Sequence, residues 1–407
     1  LLIERIQEMR LFILSFLLIV SFFSFPNYLI KADGLNIYIQ CTKDRVPLYD
    51  NSTGALVEVG YMERGDTLKV FKDYGKNWWS VKFGNSYAYV HKNNVQSFRV
   101  KAIAGENIEN LKNSNNTILL MGNQRIYDNS TGKLVPFVTV KGNMRYPIIG
   151  KMGNWYKVDV GGRIGYIHHA KASWDNGVPV LTYHHILKES ENRNFRNVST
   201  TISDVQFNEQ MDWLKENGYE TITLDRLEQY VRGKINLPAK AVVITFDDGL
   251  KTSFLYAYPK LKEHGFKATN FVITSRITKG TQTFNPDYLQ FLGQSEMNAM
   301  RDVFMFESHT HRLHNLNGSK SHVLTNPYNV VKEDIKLSQN ILGARYFAYP
   351  FGQYNDSTLR ILNELGFKLS VTTKEGKVRI GDPLLEIKRL GVSPKHTIKD
   401  FARMVQN

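Results

Sequence analysis

Three short segments hold residue types that could do chemistry together. The first is Thr245-Phe246-Asp247-Asp248-Gly249, at the end of the apolar run Ala241–Phe246. Two adjacent carboxylates repel each other. They suit a site where a cation holds one of them and the other works as a base. The second segment is His309-Thr310-His311-Arg312-Leu313-His314. Three imidazoles so close together at a strand end are a metal-ligand composition. An i, i+5 pair would lie ~140° apart on a helix, so a chelating pair here requires a loop. The third segment is Phe347-Ala348-Tyr349-Pro350-Phe351-Gly352-Gln353-Tyr354-Asn355. Its Pro and Gly fix a turn with exposed backbone N–H groups, either an oxyanion site or a strand-to-helix corner. The only cysteine is Cys41, which excludes an intramolecular disulfide and thiolate metal sites. Any metal must therefore sit on His, Asp or Glu.

These segments need strand ends to carry them. From Gly177 onward, apolar strands alternate with amphipathic helices. Val178–Thr182, Ala241–Phe246, Lys267–Ile273, Val303–Ser308, Tyr346–Tyr349 and Lys368–Thr372 read as strands. Residues 204–217, 252–264, 327–342 and 356–365 read as helices, with Asp204 placed to cap the first. Such alternation means parallel βαβ units. About 230 residues and roughly seven units suggest a barrel, with the chemistry at the carboxyl ends of its strands.

The three segments together resemble the polysaccharide deacetylases, the family 4 carbohydrate esterases with a NodB-type domain. The resemblance covers roughly residues 177–407. It implies a distorted (β/α)-barrel and metal-dependent removal of N-acetyl groups from amino-sugar polymers. It makes Asp247 the catalytic base and Asp248, His309 and His314 the ligands of one divalent ion. Such ligands suit zinc, and also cobalt or nickel. The Phe351 N–H would complete the oxyanion site, with Tyr349 and Pro350 beside the substrate. Many members start the third motif with an Arg that steadies the base. Here that position is Ala348, and Arg389 is the candidate replacement from a late strand. The usual late acid histidine is absent from its motif. His184 is the first candidate for the acid and His185 the second, while His396 reads as a surface residue. The i, i+5 histidine spacing and Val180-Leu181-Thr182-Tyr183-His184-His185 resemble the branch acting on poly-β-1,6-N-acetylglucosamine.

The first half is repetitive. Tyr49-Asp50-Asn51-Ser52-Thr53-Gly54 recurs as Tyr127-Asp128-Asn129-Ser130-Thr131-Gly132. Asn77-Trp78 recurs as Asn154-Trp155, and Tyr89-Val90-His91 as Tyr166-Ile167-His168. The near-constant offset indicates a duplicated domain. Alternating short strands separated by Asn-, Asp- and Gly-rich turns predict two small all-β barrels. The pattern resembles bacterial SH3-like domains, which commonly bind wall peptides or glycans. Trp78 and Trp155 read as barrel core. The second copy departs at Lys141–Arg145, where a hydrophobic strand would normally run.

Composition fits a protein of the cell surface. The 407 residues carry 52 Lys and Arg against 38 Asp and Glu, a net charge of +14. The excess is spread along the chain, with no basic block of the kind that binds nucleic acid. It suits work beside a polyanionic bacterial wall. Leu11–Phe25 is almost wholly apolar, follows Arg5 and Arg10, and precedes Ile30-Lys31-Ala32. This is the layout of a secretory signal cleaved after Ala32, or of an anchor if left uncut. The expected organisation is a signal at 1–32, SH3-like domains at 33–104 and 105–176, and a deacetylase domain at 177–407. The expected protein is secreted and wall-associated, of Gram-positive type. Its substrate is peptidoglycan, favoured by the repeats, or poly-β-1,6-N-acetylglucosamine, favoured by the histidine spacing. The rival reading is a catalytically weak wall-binding or adhesion protein.

Overall fold

The computed structural model of the chain describes residues 35–103, 114–280 and 282–407. The expected signal segment and the boundary expected at 104/105 lie outside the described residues. Among the described residues, no helix is long and apolar enough to cross a membrane.

The second half is built on eight strands. They are β1 (Val180–Tyr183), β2 (Glu220–Thr221), β3 (Ala241–Phe246), β4 (Ala268–Val272), β5 (Phe304–Ser308), β6 (Tyr346–Ala348), β7 (Leu369–Glu375) and β8 (Ile387–Gly391). They lie in the order β1-β8-β7-β6-β5-β4-β3-β2, all parallel. Because β1 also pairs with β3, the sheet returns on itself. The two-residue β2 flanks only the start of β3, so seven strands form the ring. Every residue of β3, Ala-Val-Val-Ile-Thr-Phe, is buried. A parallel strand covered on both faces requires such an unbroken apolar run. The helix Asp204–Glu216 buries Phe207, Met211 and Leu214, as its spacing predicts. Its cap is Ser203, whose side chain accepts from Gln206 N–H. Asp204 instead falls in the first turn, where its charge complements the helix dipole.

The duplication is visible strand by strand. Tyr49 pairs opposite Tyr89 in the first copy, and Tyr127 opposite Tyr166 in the second. The two β-rich copies do not stand apart. Strands of both copies join one twelve-stranded sheet, with Thr139 opposite Tyr61 and Val160 opposite Phe83. Leu48, Met62 and Val81 of the first copy share one core with Ile126, Val138 and Val158 of the second. Trp78 and Trp155 are half-buried rather than fully enclosed, each edge-on to a histidine, His91 and His168.

The departure at Lys141–Arg145 has a structural reason. Met144–Pro147 is a buried strand, flanked by Thr117–Leu120 and by Leu237–Pro238 of the second half. Arg145 donates to the carbonyls of Pro238 and Ala239 at 3.2 and 2.9 Å, and it pairs with Asp175. Asn236 bonds the backbone of Phe83 and Asn85. These contacts lie just before β3 begins. The repeats therefore dock at the amino ends of the strands, opposite the segments that carry chemistry.

The Arg145–Asp175 pair is almost wholly shielded from solvent. Burial alone would raise the Asp175 pKa. Arg145, Thr117 and the Gly177 N–H outweigh it and hold the carboxyl below its usual range. A depressed folded-state pKa contributes stability at neutral pH, and that stability is lost as pH falls through the folded value. Arg145→Ala should cost about 3–5 kcal/mol in urea unfolding at pH 7, with a smaller cost in acid. A loss below about 1 kcal/mol would mean that the joint does not depend on this pair.

Candidate active site

The two adjacent carboxylates of the first segment point to different partners. Asp247 is buried and receives two parallel hydrogen bonds from Arg389, Nη1 to Oδ1 at 2.8 Å and Nη2 to Oδ2 at 2.7 Å. Arg389 is held in turn by Nε donating to the Thr372 carbonyl at 2.8 Å and Nη1 to Thr245 Oγ1 at 3.2 Å. Burial would raise the Asp247 pKa, but the Arg389 guanidinium overrides it and holds the carboxyl well below the carboxylate range. Asp247 is thus an ionised acceptor in a dry place. His184 Nε2 lies 3.9 Å from its Oδ2.

Asp248 takes a positive φ of 72°, which turns its carboxylate away from Asp247's partners and toward the histidines. Its Oδ1 lies 3.6 Å from His309 Nε2 and 3.3 Å from His314 Nε2. A cramped glycine supports this turn. A Cβ on Gly249 (φ +70°) would meet Val272 Cγ1 at 2.8 Å. The histidine segment is a loop, as its spacing requires. His309 Nδ1 faces the Ala348 carbonyl at 2.8 Å, which assigns the proton to Nδ1 and leaves the Nε2 lone pair aimed at Asp248. Asp334 pins the loop by accepting from the N–H groups of His311 and Arg312 at 2.9 and 2.8 Å. Burial pushes both His309 and His314 down to about 4, so the imidazoles are neutral at pH 7. One carboxylate and two neutral imidazoles, with donor atoms within 4.8 Å of one another, fit a divalent cation.

Phe351 closes the site from a third strand end. It is left-handed (φ 57°) inside the Pro350–Gly352 turn, and its ring lies 4.6 Å from that of His314. Its N–H belongs to the first turn, which has no intrahelical acceptor and no side-chain cap.

A family model described as polysaccharide deacetylase matches residues 234–370. The poly-β-1,6-N-acetyl-D-glucosamine N-deacetylase of Staphylococcus epidermidis is 32% identical over 237 residues, which span 54% of this chain and 80% of that relative. The enzyme of the same name from Staphylococcus aureus is 30% identical over 247 residues, 55% of this chain and 83% of that one. The solved structure of IcaB from Ammonifex degensii is 29% identical, covers 57% of this chain and 98% of that one, and has a TM-score of 0.49. The chain belongs to the polysaccharide deacetylase family. It is a hydrolase of amide bonds by that membership.

In this deacetylase the fold brings Asp247, Asp248, His309, His314, His184, Arg389 and Phe351 to one end of the closed sheet. Two expected substrate contacts need correction. Tyr349 is buried, and its hydroxyl donates to the Leu385 carbonyl at 3.0 Å. Pro350 is buried too. Both side chains hold the turn, and the exposed face belongs to Phe351. His185 is buried against Phe195 and Thr201, the surroundings of a structural residue. His396 accepts from Ser393 N–H at 3.2 Å in its own loop. Sequence reasoning missed Asp334 and Thr372. Asp334 is one of two adjacent acids on a helix, and Thr372 acts through its backbone carbonyl. Thr245, by contrast, stood inside the recognised motif.

The Arg389 grip makes a prediction. Arg389→Met leaves Asp247 buried without its counter-charge, so its carboxyl pKa rises. The acid limb of the kcat/KM profile should move to higher pH, and kcat/KM at pH 7 should fall at least about tenfold. An acid limb that stays in place would mean that Arg389 does not set the ionisation of Asp247.

Proposed function

We propose that this chain is a secreted, metal-dependent N-deacetylase of poly-β-1,6-N-acetylglucosamine. The observation that carries the reading is the division of labour between two neighbouring carboxylates. Asp247 is locked to a guanidinium, and Asp248 faces two neutral imidazoles. Asp248, His309 and His314 would hold a divalent ion, zinc by donor type. When bound, it supplies Lewis-acid polarisation of the acetamide carbonyl and a lowered pKa for water. Asp247 accepts the proton of the attacking water. The Phe351 N–H donates to the oxygen that gains charge as the carbonyl carbon becomes tetrahedral. His184, next to Asp247, returns a proton to the departing amine, and acetate leaves. Phe351, 42% exposed, offers its ring to a sugar face.

Two features support this glycan over peptidoglycan. The histidine spacing and first-strand motif resemble those of that branch, and the two staphylococcal relatives carry that substrate in their names. The repeats dock at the far end of the barrel, so their SH3-like pattern does not bear on which glycan enters the site. We assign them to wall attachment, the closed sheet to the distorted NodB-type barrel, and residues 1–32 to the secretory signal. The alternative of a catalytically weak wall-binding protein loses one of its two supports, because Arg389 does what the absent third-motif Arg would do.

Residues 33–407 should release acetate from poly-β-1,6-N-acetylglucosamine. Chelation should abolish release, and a divalent ion should restore it. Release from peptidoglycan alone, or from neither polymer, would overturn the reading. His184→Gln should lower kcat by about 10²–10⁴. His185→Gln should instead act on thermal stability and leave kcat near the parent value. The reverse pattern would exchange the roles of the two histidines.

A further inference from the structure

The internal repeat contains its own comparison. In the second copy, Asp128 ends the strand Gln124–Asp128, and Arg163 begins the strand Arg163–His168. The two form a buried ion pair, with the Arg163 guanidinium 4.4 Å over the Phe137 ring. The first-copy counterparts are Asp50, Ser86 and Val59, by the offsets of the matched motifs. The equivalence holds in register, since Ser86 pairs opposite Phe83 as Arg163 does opposite Val160. Serine has replaced the arginine, and the space is open. A cavity of about 250 Å³ lies there, lined by Asp50, Val59 and Ser86 and closed from the far side by Arg226 and Glu220 of the deacetylase domain.

The charges around this cavity are unfinished. Among the described residues, Asp50 has no ion-pair partner. It accepts only from Ser52 in its own turn. Arg226 feels Asp50 and Glu220 electrostatically but pairs with neither, and its buried Nε has no hydrogen-bond partner. Glu58 is already engaged by Arg45 and Lys141. Among the described residues, Asp50 and Glu220 are the lining carboxylates left without an ion pair, against the one guanidinium of Arg226. Tyr87 and Val57 supply apolar surface. The volume suits one ring rather than a chain segment.

We propose that this cavity binds an amino sugar, with its ammonium at Asp50 where the second copy places a guanidinium, and a ring oxygen accepting from the Arg226 guanidinium. The ammonium complements the unpaired carboxylates, and the hydroxyl-rich ring satisfies the half-buried guanidinium without adding a second charge. Glucosamine units are what deacetylation makes, so the ligand class rests on the deacetylase reading. The site would then hold the aminated polymer at the end of the protein opposite the chemistry.

The test uses the full chain and a β-1,6-linked glucosamine tetramer, its N-acetylated counterpart and a lysine-containing tetrapeptide, each followed by calorimetry. Ser86→Arg installs the second copy's own solution. It should weaken tetramer binding about tenfold or more, as loss of a charge-assisted contact does, with acetate release within about twofold of the parent. Asp50→Asn, nearly isosteric, should weaken it similarly and guards against misfolding of the first variant. Equal tetramer affinity in parent and both variants overturns the proposal. So does variant-sensitive binding of the N-acetylated tetramer as tight as that of the aminated one, or variant-sensitive binding of the tetrapeptide alone. A parent that releases no acetate yet binds the tetramer through Asp50 would overturn the deacetylase reading and leave the cavity assignment standing.

Discussion

The site depends on one buried ion pair, Arg389 with Asp247. A carboxyl enclosed at the end of an apolar parallel strand would protonate and cease to be a base. The guanidinium prevents this with two hydrogen bonds in a fixed fork. The pair is possible only because the sheet closes. β8 lies beside β1, and β1 beside β3, so a side chain from the last strand reaches the motif on β3. Two further donors of Arg389 go to Thr372 on β7 and Thr245 on β3. Buried ion pairs of this kind add little stability over apolar packing of the same volume. The presence of this one is explained by the ionisation state it imposes.

Backbone strain is concentrated at the same place. Four non-glycine residues among those described have positive φ, and three of them are Asp248, Thr310 and Phe351. Each lies in one of the three chemical segments. Residues held in that region cost free energy and persist where the surroundings over-determine them. Here the strain has a use at two of the three positions. It parts two adjacent carboxylates and turns the Phe351 ring toward His314. Asp334 and the Ala348 carbonyl then fix the histidine loop from outside.

Much of this was legible in the sequence, and the reasons differ by element. The barrel strands announce themselves because strands buried on both faces leave long apolar runs. Asp247, Asp248, His309 and His314 stand out because reactive residue types rarely cluster at strand ends. Arg389 was named only because Ala348 left a role vacant, since a lone Arg in Ile-Lys-Arg-Leu carries no signal of its own. Tyr349 and Pro350 misled because a motif does not say which of its residues face inward. The fused repeats were beyond reach. Pairing between copies is set by tertiary packing, and the departure at Lys141–Arg145 looked like a defect until Leu237–Pro238 was seen beside it.

The central claim is that the two carboxylates have separate duties. Anomalous diffraction at the metal edge from crystals soaked in cobalt or zinc tests it directly. One peak within bonding distance of Asp248, His309 and His314, with Asp247 still in the fork of Arg389, is the result this account predicts. An ion bridging Asp247 and Asp248, with Arg389 displaced, would contradict it.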